Sequence, residues 1–198
     1  MTRTVLLLAF LGLWLPVSGG PTMSAQSSGG GWTTLFDGKT LKGWNVVGDA
    51  NWEVADGVVQ ASKASANAYL VTPVSYGDFQ ITLEFWVTAD ANSGVFIRCE
   101  DPKNITASNA YEVNIYDTRP DQAYRTGGIV DVAKPASVIM TGGKWNTFDI
   151  TARGSKITVI LNGMTVVDIT DTKHARGAIA LQYGAGTVKF RNVRVRAL

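Results

Sequence analysis

Three consecutive stretches between Phe79 and Asp117 alternate apolar and polar residues: FQITLEFWV, SGVFIRCE and AYEVNIYD. Successive side chains of a β-strand point to opposite faces, so residues two apart share a face. Phe79, Ile81, Leu83, Phe85 and Val87 fall on one side, against Gln80, Thr82, Glu84 and Trp86. The second stretch sets Val95, Ile97 and Cys99 against Phe96 and Arg98. The third sets Tyr111, Val113 and Ile115 against Glu112, Asn114 and Tyr116. One face is apolar and must be covered. The other gathers carboxylates, an arginine, amides and aromatics, a composition that suits a sugar site.

The same signals recur along the chain. Strands are expected at Trp52–Val54, Val58–Ala61, Tyr69–Thr72, Phe79–Thr88, Gly94–Glu100, Ala110–Tyr116, Trp145–Ala152, Lys156–Leu161, Met164–Ile169, Ala178–Tyr183 and Val188–Arg196. Arg153-Gly154-Ser155 and Asn162-Gly163 mark hairpins, the latter a preferred two-residue turn, and Asp56-Gly57 is a third turn signal. No amphipathic helical window and no long internal repeat stands out. So many short alternating strands predict an all-β fold, a two-sheet jelly-roll sandwich with its apolar faces packed together. The longest stretch without strand signals, Asp117 to Gly143, carries Pro120, Pro135, Gly127, Gly128 and Gly142. Long loops of this kind tend to wall functional sites.

The domain is expected over 32–198. Residues 1–25 read as a secretory signal, with Arg3 followed by an apolar run from Val5 to Val17, too short for the ~20 residues of a membrane span. Residues 26–31 read as a Gly/Ser-rich linker. A periplasmic or secreted protein is expected, with no stable membrane span after cleavage. The formal charge of +2 with no basic cluster gives nucleic acid little to grip. Cys99 is the only cysteine, so no internal disulfide is possible. Its parity puts it on the apolar face. The single histidine, His174, sits in the polar run Asp171-Thr172-Lys173-His174 and reads as a solvated loop residue. No metal-binding loop and no cofactor motif is present.

The candidate chemistry lies in Glu84, Arg98 and Glu112. Consecutive strands are usually neighbours, which would bring the three side chains together across one face. Two carboxylates in one cleft can divide acid and base roles, with Arg98 holding one of them ionised or binding hydroxyls. The competing reading is a cross-strand Glu–Arg–Glu ladder that only pairs charges. Trp86 and Tyr116 offer stacking faces, and Asn114 and Gln182 offer amides. Asn92 opens the turn into the second stretch. Asp117 is either a third carboxylate of the cleft or the start of an Asx turn.

Several ordered motifs resemble the DUF1080, or 3-keto-disaccharide hydrolase domain, family from about Trp32 to Leu198. They are LFDGKTLKGW (35–44), FQITLEF (79–85), NSGVFIR (92–98), YEVNIYD (111–117), TGGI (126–129), KWNT (144–147), LNG (161–163), LQYG (181–184) and FRNVR (190–194). The resemblance implies a concanavalin A-like jelly roll outside the cytoplasm, acting on glycosides oxidised at carbon 3. On that chemistry Glu84 and Glu112 are the expected catalytic carboxylates, with Arg98 as a donor; together with the parity reading, Arg98, Trp86, Asn92, Asn114, Tyr116, Asp117 and Gln182 are the expected substrate-binding residues. The partner is then a carbohydrate, and the alternative is a lectin-like module without catalysis. Tyr183 and Val130 stand where family members often carry His and Tyr.

Overall fold

A computed structural model describes Met1 and residues 31–198; the expected signal and nearly all of the expected linker lie outside the described residues. The described residues form two antiparallel sheets packed as a sandwich. The strands are β1 (Thr33–Thr34), β2 (Asn45–Val47), β3 (Glu53–Ala55), β4 (Val58–Ala61), β5 (Ala68–Val71), β6 (Phe79–Val87), β7 (Asn92–Cys99), β8 (Tyr111–Ile115), β9 (Trp145–Arg153), β10 (Lys156–Leu161), β11 (Met164–Thr170), β12 (Ala178–Ala185) and β13 (Val188–Ala197). One sheet runs β11-β10-β9-β6-β13-β4-β3, with β1 also on β13, and the other runs β2-β5-β12-β7-β8. This is the expected all-β jelly-roll sandwich. The short strands β1 and β2 carry no clear alternation and were not expected from sequence.

Two turns work as their sequences require. Asp56-Gly57 and Asn162-Gly163 both take positive φ at each residue, closing the β3–β4 and β10–β11 hairpins. Such turns match the right-handed twist of the flanking strands.

The inner layer is continuous. Phe79, Ile81, Leu83, Phe85 and Val87 of β6 meet Val95 and Ile97 of β7 and Tyr111, Val113 and Ile115 of β8 in one buried cluster. Phe85 and Phe148 stack with centroids 4.8 Å apart at its centre. The alternation is thus met strand by strand, but not the neighbourhood: β6 lies in the eight-stranded sheet, while β7 and β8 lie in the five-stranded one. The apolar faces of β6 and β7 look at each other across the core.

A β-bulge near the end of β7 resets its parity. Phe96 pairs with Ala180 and Cys99 with Ala178, so Ile97 and Arg98 together face a single residue, and Arg98 takes φ of 54°. A bulge inserts one extra residue and flips the rest of the strand to the other face. Cys99 is therefore not on the inner face. It joins Tyr69, Val71, Phe96, Ile105, Ala110, Ala178 and Ala180 in a second apolar cluster. Burial pushes its thiol up to about 12, so it is a poor nucleophile.

The Asp117–Gly143 segment folds back onto β8. Ile129 bridges Val113, Val130 donates to the Glu112 carbonyl, and Asn114 donates to the Gly128 carbonyl. Asp117 clips both ends of this segment. It accepts from Thr126 Oγ1 (2.5 Å), Thr141 N (2.6 Å), Thr141 Oγ1 (2.8 Å) and Gly142 N (2.9 Å). Asp117→Ala is expected to lower folding stability by about 3 kcal/mol, because buried donors lose a charged acceptor. Urea unfolding checks this, and a midpoint equal to wild type would contradict the clip.

Candidate functional site

The sandwich assigns the polar faces of β6 and of β7–β8 to opposite outsides of the molecule. Glu84 and Trp86 stand on the outer face of the eight-stranded sheet, and Glu112 on the outer face of the five-stranded one. Glu84 and Glu112 therefore share no cleft, which corrects the expectation that these strands are neighbours. Glu84 is held by its own sheet. Arg191 donates to its Oε2 from Nε (2.8 Å) and Nη2 (2.6 Å), and Asn192 donates to its Oε1. A bulge in β13 between Arg191 and Arg194 turns both Arg191 and Asn192 toward it. Partial burial pulls the Glu84 carboxyl up, but the Asn192 and Arg191 hydrogen bonds and the Arg191 charge outweigh this and hold it below the ordinary range. Trp86 lies under the Lys189 ammonium, 4.8 Å from the ring centroid.

Arg98 also leaves the expected face. Only 1% exposed, it donates to the Gly77 carbonyl from Nε (3.1 Å) and Nη2 (2.9 Å) and to the His174 carbonyl from Nη1 (3.0 Å). Its guanidinium fastens loops at one end of the sandwich and bonds Gly77 and His174 rather than the residues beside Glu112. Asp117, spent on the loop clip, is likewise not a cleft carboxylate. His174 is not solvated but 3% exposed, edge-on to Tyr111 with its Nδ1 2.9 Å from Glu100 Oε1. Tyr111 in turn donates to Asp171 Oδ1 at 2.6 Å.

The remaining expected residues do come together. In the five-stranded sheet, Tyr69, Gln182, Gly94 and Asn114 form one cross-strand row. Val71, Ala180, Phe96 and Glu112 form the next. Gly94 has no side chain to fill the middle of its row. A Cβ there would lie 3.3 Å from Gln182 Oε1 and 3.4 Å from Glu112 Cγ, so those two side chains crowd over it. Asn92 reaches the same face further along, its amide beside Gly184 on β12. Tyr116, half-buried, continues the Glu112–Asn114 parity just beyond β8.

Glu112 is the unusual group here. It is 9% exposed and beside Phe96 in register; its charge adds to the burial that pushes the Tyr69 hydroxyl up. Burial pushes its carboxyl up to about 7, against a smaller downward pull from Arg119 and a further push from Asp131. Among the described residues no hydrogen bond reaches that carboxyl. Asn114 Oδ1 and Gln182 Oε1 are buried without partners too, while Asn114 Nδ2 is held by the Tyr124 carbonyl. A protonated or hydroxyl-bearing ligand would satisfy acceptors of this kind. Among the described residues no group of three His, Cys, Asp or Glu side chains lies together as a metal would require.

Sequence reasoning missed Tyr69, Gly94 and Arg119. Tyr69 and Gly94 are placed by cross-strand register, and Arg119 by the fold-back of the long segment, neither of which the alternation encodes. Tyr183 faces the inner cluster, so its presence in place of His leaves the Glu112 face untouched.

A family model, the 3-keto-alpha-glucoside-1,2-lyase-like domain, matches residues 31–196. The chain belongs to this family. No curated protein matches it. Among solved structures, a candidate glycosyl hydrolase from Parabacteroides distasonis is 27% identical, with a TM-score of 0.72 over 85% of this chain and 100% of that one. A second from the same organism is 22% identical, with a TM-score of 0.75 over 85% and 94%. The carbohydrate-binding module CBM66 from Bacillus subtilis is 17% identical, with a TM-score of 0.63 over 78% and 96%, and shares the fold. As a member of the 3-keto-alpha-glucoside-1,2-lyase-like family, the chain is a carbohydrate-active domain.

The raised Glu112 carboxyl has a consequence for stability. Below about 4.5 it is protonated in folded and unfolded chains alike. Between there and about 7 only the unfolded chain releases the proton, so stability falls as pH rises. Glu112→Gln should remove that loss, stabilising the protein by up to about 3 kcal/mol at pH ~8 but not at pH ~4. Urea unfolding at both pH values checks this, and an equal effect at both would contradict it.

Proposed function

We propose that this domain cleaves glycosides bearing a ketone at carbon 3, on the outer face of the five-stranded sheet, with Glu112 as its acid–base residue. The observation that supports this most is the buried Glu112 carboxyl near neutrality, beside the unpartnered acceptors of Asn114 and Gln182. A carbonyl at carbon 3 acidifies the hydrogen on carbon 2, so a modest base suffices to take it. Glu112, partly ionised at neutral pH, accepts that proton as the C2–H bond breaks. The C1–O bond then breaks with its electron pair on the leaving oxygen, a double bond forms between C1 and C2, and water can later add to the enone. Glu112 can return the same proton to the leaving oxygen, if both lie on one side of the ring. A pKa near the working pH suits a group that must serve both ways.

Gln182, Asn114 and Asn92 supply amides for sugar hydroxyls, and Tyr116 supplies ring surface. The Arg119 charge, which already pulls the Glu112 carboxyl down, would favour a developing enolate. Glu84 takes no part, because its oxygens are committed to Arg191 and Asn192 on the far side of the sandwich. The expected N-terminal signal supports action in the periplasm or outside the cell.

Incubation with 3-ketotrehalose or 3-ketolactose, with monosaccharide release followed by chromatography, tests this reading. Glu112→Gln should lower turnover roughly a hundredfold or more, and Glu84→Gln by less than about threefold. Wild-type turnover in Glu112→Gln would overturn the assignment. Sugar binding without turnover in the wild type would leave a lectin-like module.

A further inference from the structure

The opposite outer face, that of the eight-stranded sheet, carries a feature the Glu112 site does not use. Strand β13 alternates inward apolar residues with outward cations, so Lys189, Arg191, Arg194 and Arg196 line one ridge. Each lies against an indole. The Lys189 ammonium is 4.8 Å from the Trp86 centroid, and the Arg191 guanidinium is 4.0 Å from that of Trp145. Arg194 and Arg196 lie 5.4 and 4.9 Å from that of Trp32. Cation–π contacts hold these long side chains in place, so less freedom is lost when a ligand binds them.

Their charge is only partly met. Arg191 pairs with Glu84. Arg196 donates to the neutral Gln80 Oε1 at 2.8 Å, while the Gln80 amide is turned to Asp149 at 2.7 Å. Lys189 and Arg194 form no salt bridge among the described residues. Two open depressions meet at Asn192 and Arg194. One, of about 460 Å³, is lined by Thr82, Glu84 and Thr147 as well. The other, of about 300 Å³, is lined by Thr34, Phe36 and Asp37 among others. Hollows on both sides of one arginine fit a chain of units better than a single small ion.

We propose that this face binds an acidic polysaccharide, with Arg194 and Arg196 receiving its carboxylates or sulfates. Guanidinium groups match both oxyanions through paired hydrogen bonds. The acceptors set among the cations distinguish this partner from nucleic acid. Glu84, Thr147 and Asn192 line this face and can take hydrogen bonds from sugar hydroxyls, which a DNA phosphate backbone does not offer. The indoles are also covered by cations, which leaves them poorly open for base stacking.

Tryptophan emission, read as the purified protein is titrated at low salt with polygalacturonate, dextran sulfate, neutral dextran or oligothymidylate, tests the proposal. A saturable change with either or both acidic polysaccharides is expected, weakened at least about tenfold by the Arg194→Ala/Arg196→Ala double variant and by Lys189→Ala to a smaller degree. Thermal midpoints near wild type certify that the variants fold. Glu112→Gln should bind as wild type, which separates this face from the catalytic one. Absence of any response to acidic polysaccharide, an equal response to neutral dextran, binding unchanged in the double variant, loss of binding in Glu112→Gln, or a response to oligothymidylate alone would each overturn it.

Discussion

Both sheets of this protein must share one apolar layer. Phe79, Ile81, Leu83, Phe85 and Val87 can leave water only by facing Val95, Ile97, Tyr111, Val113 and Ile115 from the other side. Sheets packed this way lie ~10 Å apart. Every alternate residue then points away from the core, and away from the other sheet's outward residues. The two glutamates that alternate with those core residues are separated by the full thickness of the sandwich.

That separation gives each carboxyl its own chemistry. Glu84 is met by a guanidinium and an amide and stays ionised, an anchor in a cationic, indole-rich surface. Glu112 is met by Phe96, the backbone of Gly94 and the neighbouring amides, and resists ionising. Desolvation acts on one and specific pairing on the other, and the two push their pKa values apart. The same fold thus presents a nearly neutral face with one reluctant acid and, behind it, a face of ordered positive charge.

The fold class was legible in the alternation, because period-two patterning fixes which side of a strand is buried. Glu112, Asn114 and Gln182 were legible as outward residues for the same reason. Sheet membership was not, since β6 and β7 are joined by a short connection that passes from one sheet to the other. Nothing in the residues from Thr88 to Ala91 distinguishes that path from a hairpin. The bulge at Arg98 was equally hidden. An arginine with a left-handed backbone is unusual, and here three donors bound to the Gly77 and His174 carbonyls secure it. One inserted residue then moved Arg98 out of the candidate site and Cys99 into a different apolar cluster. His174 looked solvated because its sequence neighbours are polar, yet the Tyr111 ring and hydroxyl bury it from another strand.

The contrast between the two glutamates is the most direct point of test. A carbon-13 NMR titration of the assigned glutamate side-chain carboxyls follows each group separately. Glu112 should titrate with a midpoint near 7 and Glu84 below the ordinary value of 4.5. A Glu112 midpoint at about 4.5, indistinguishable from that of an exposed glutamate, would contradict the account.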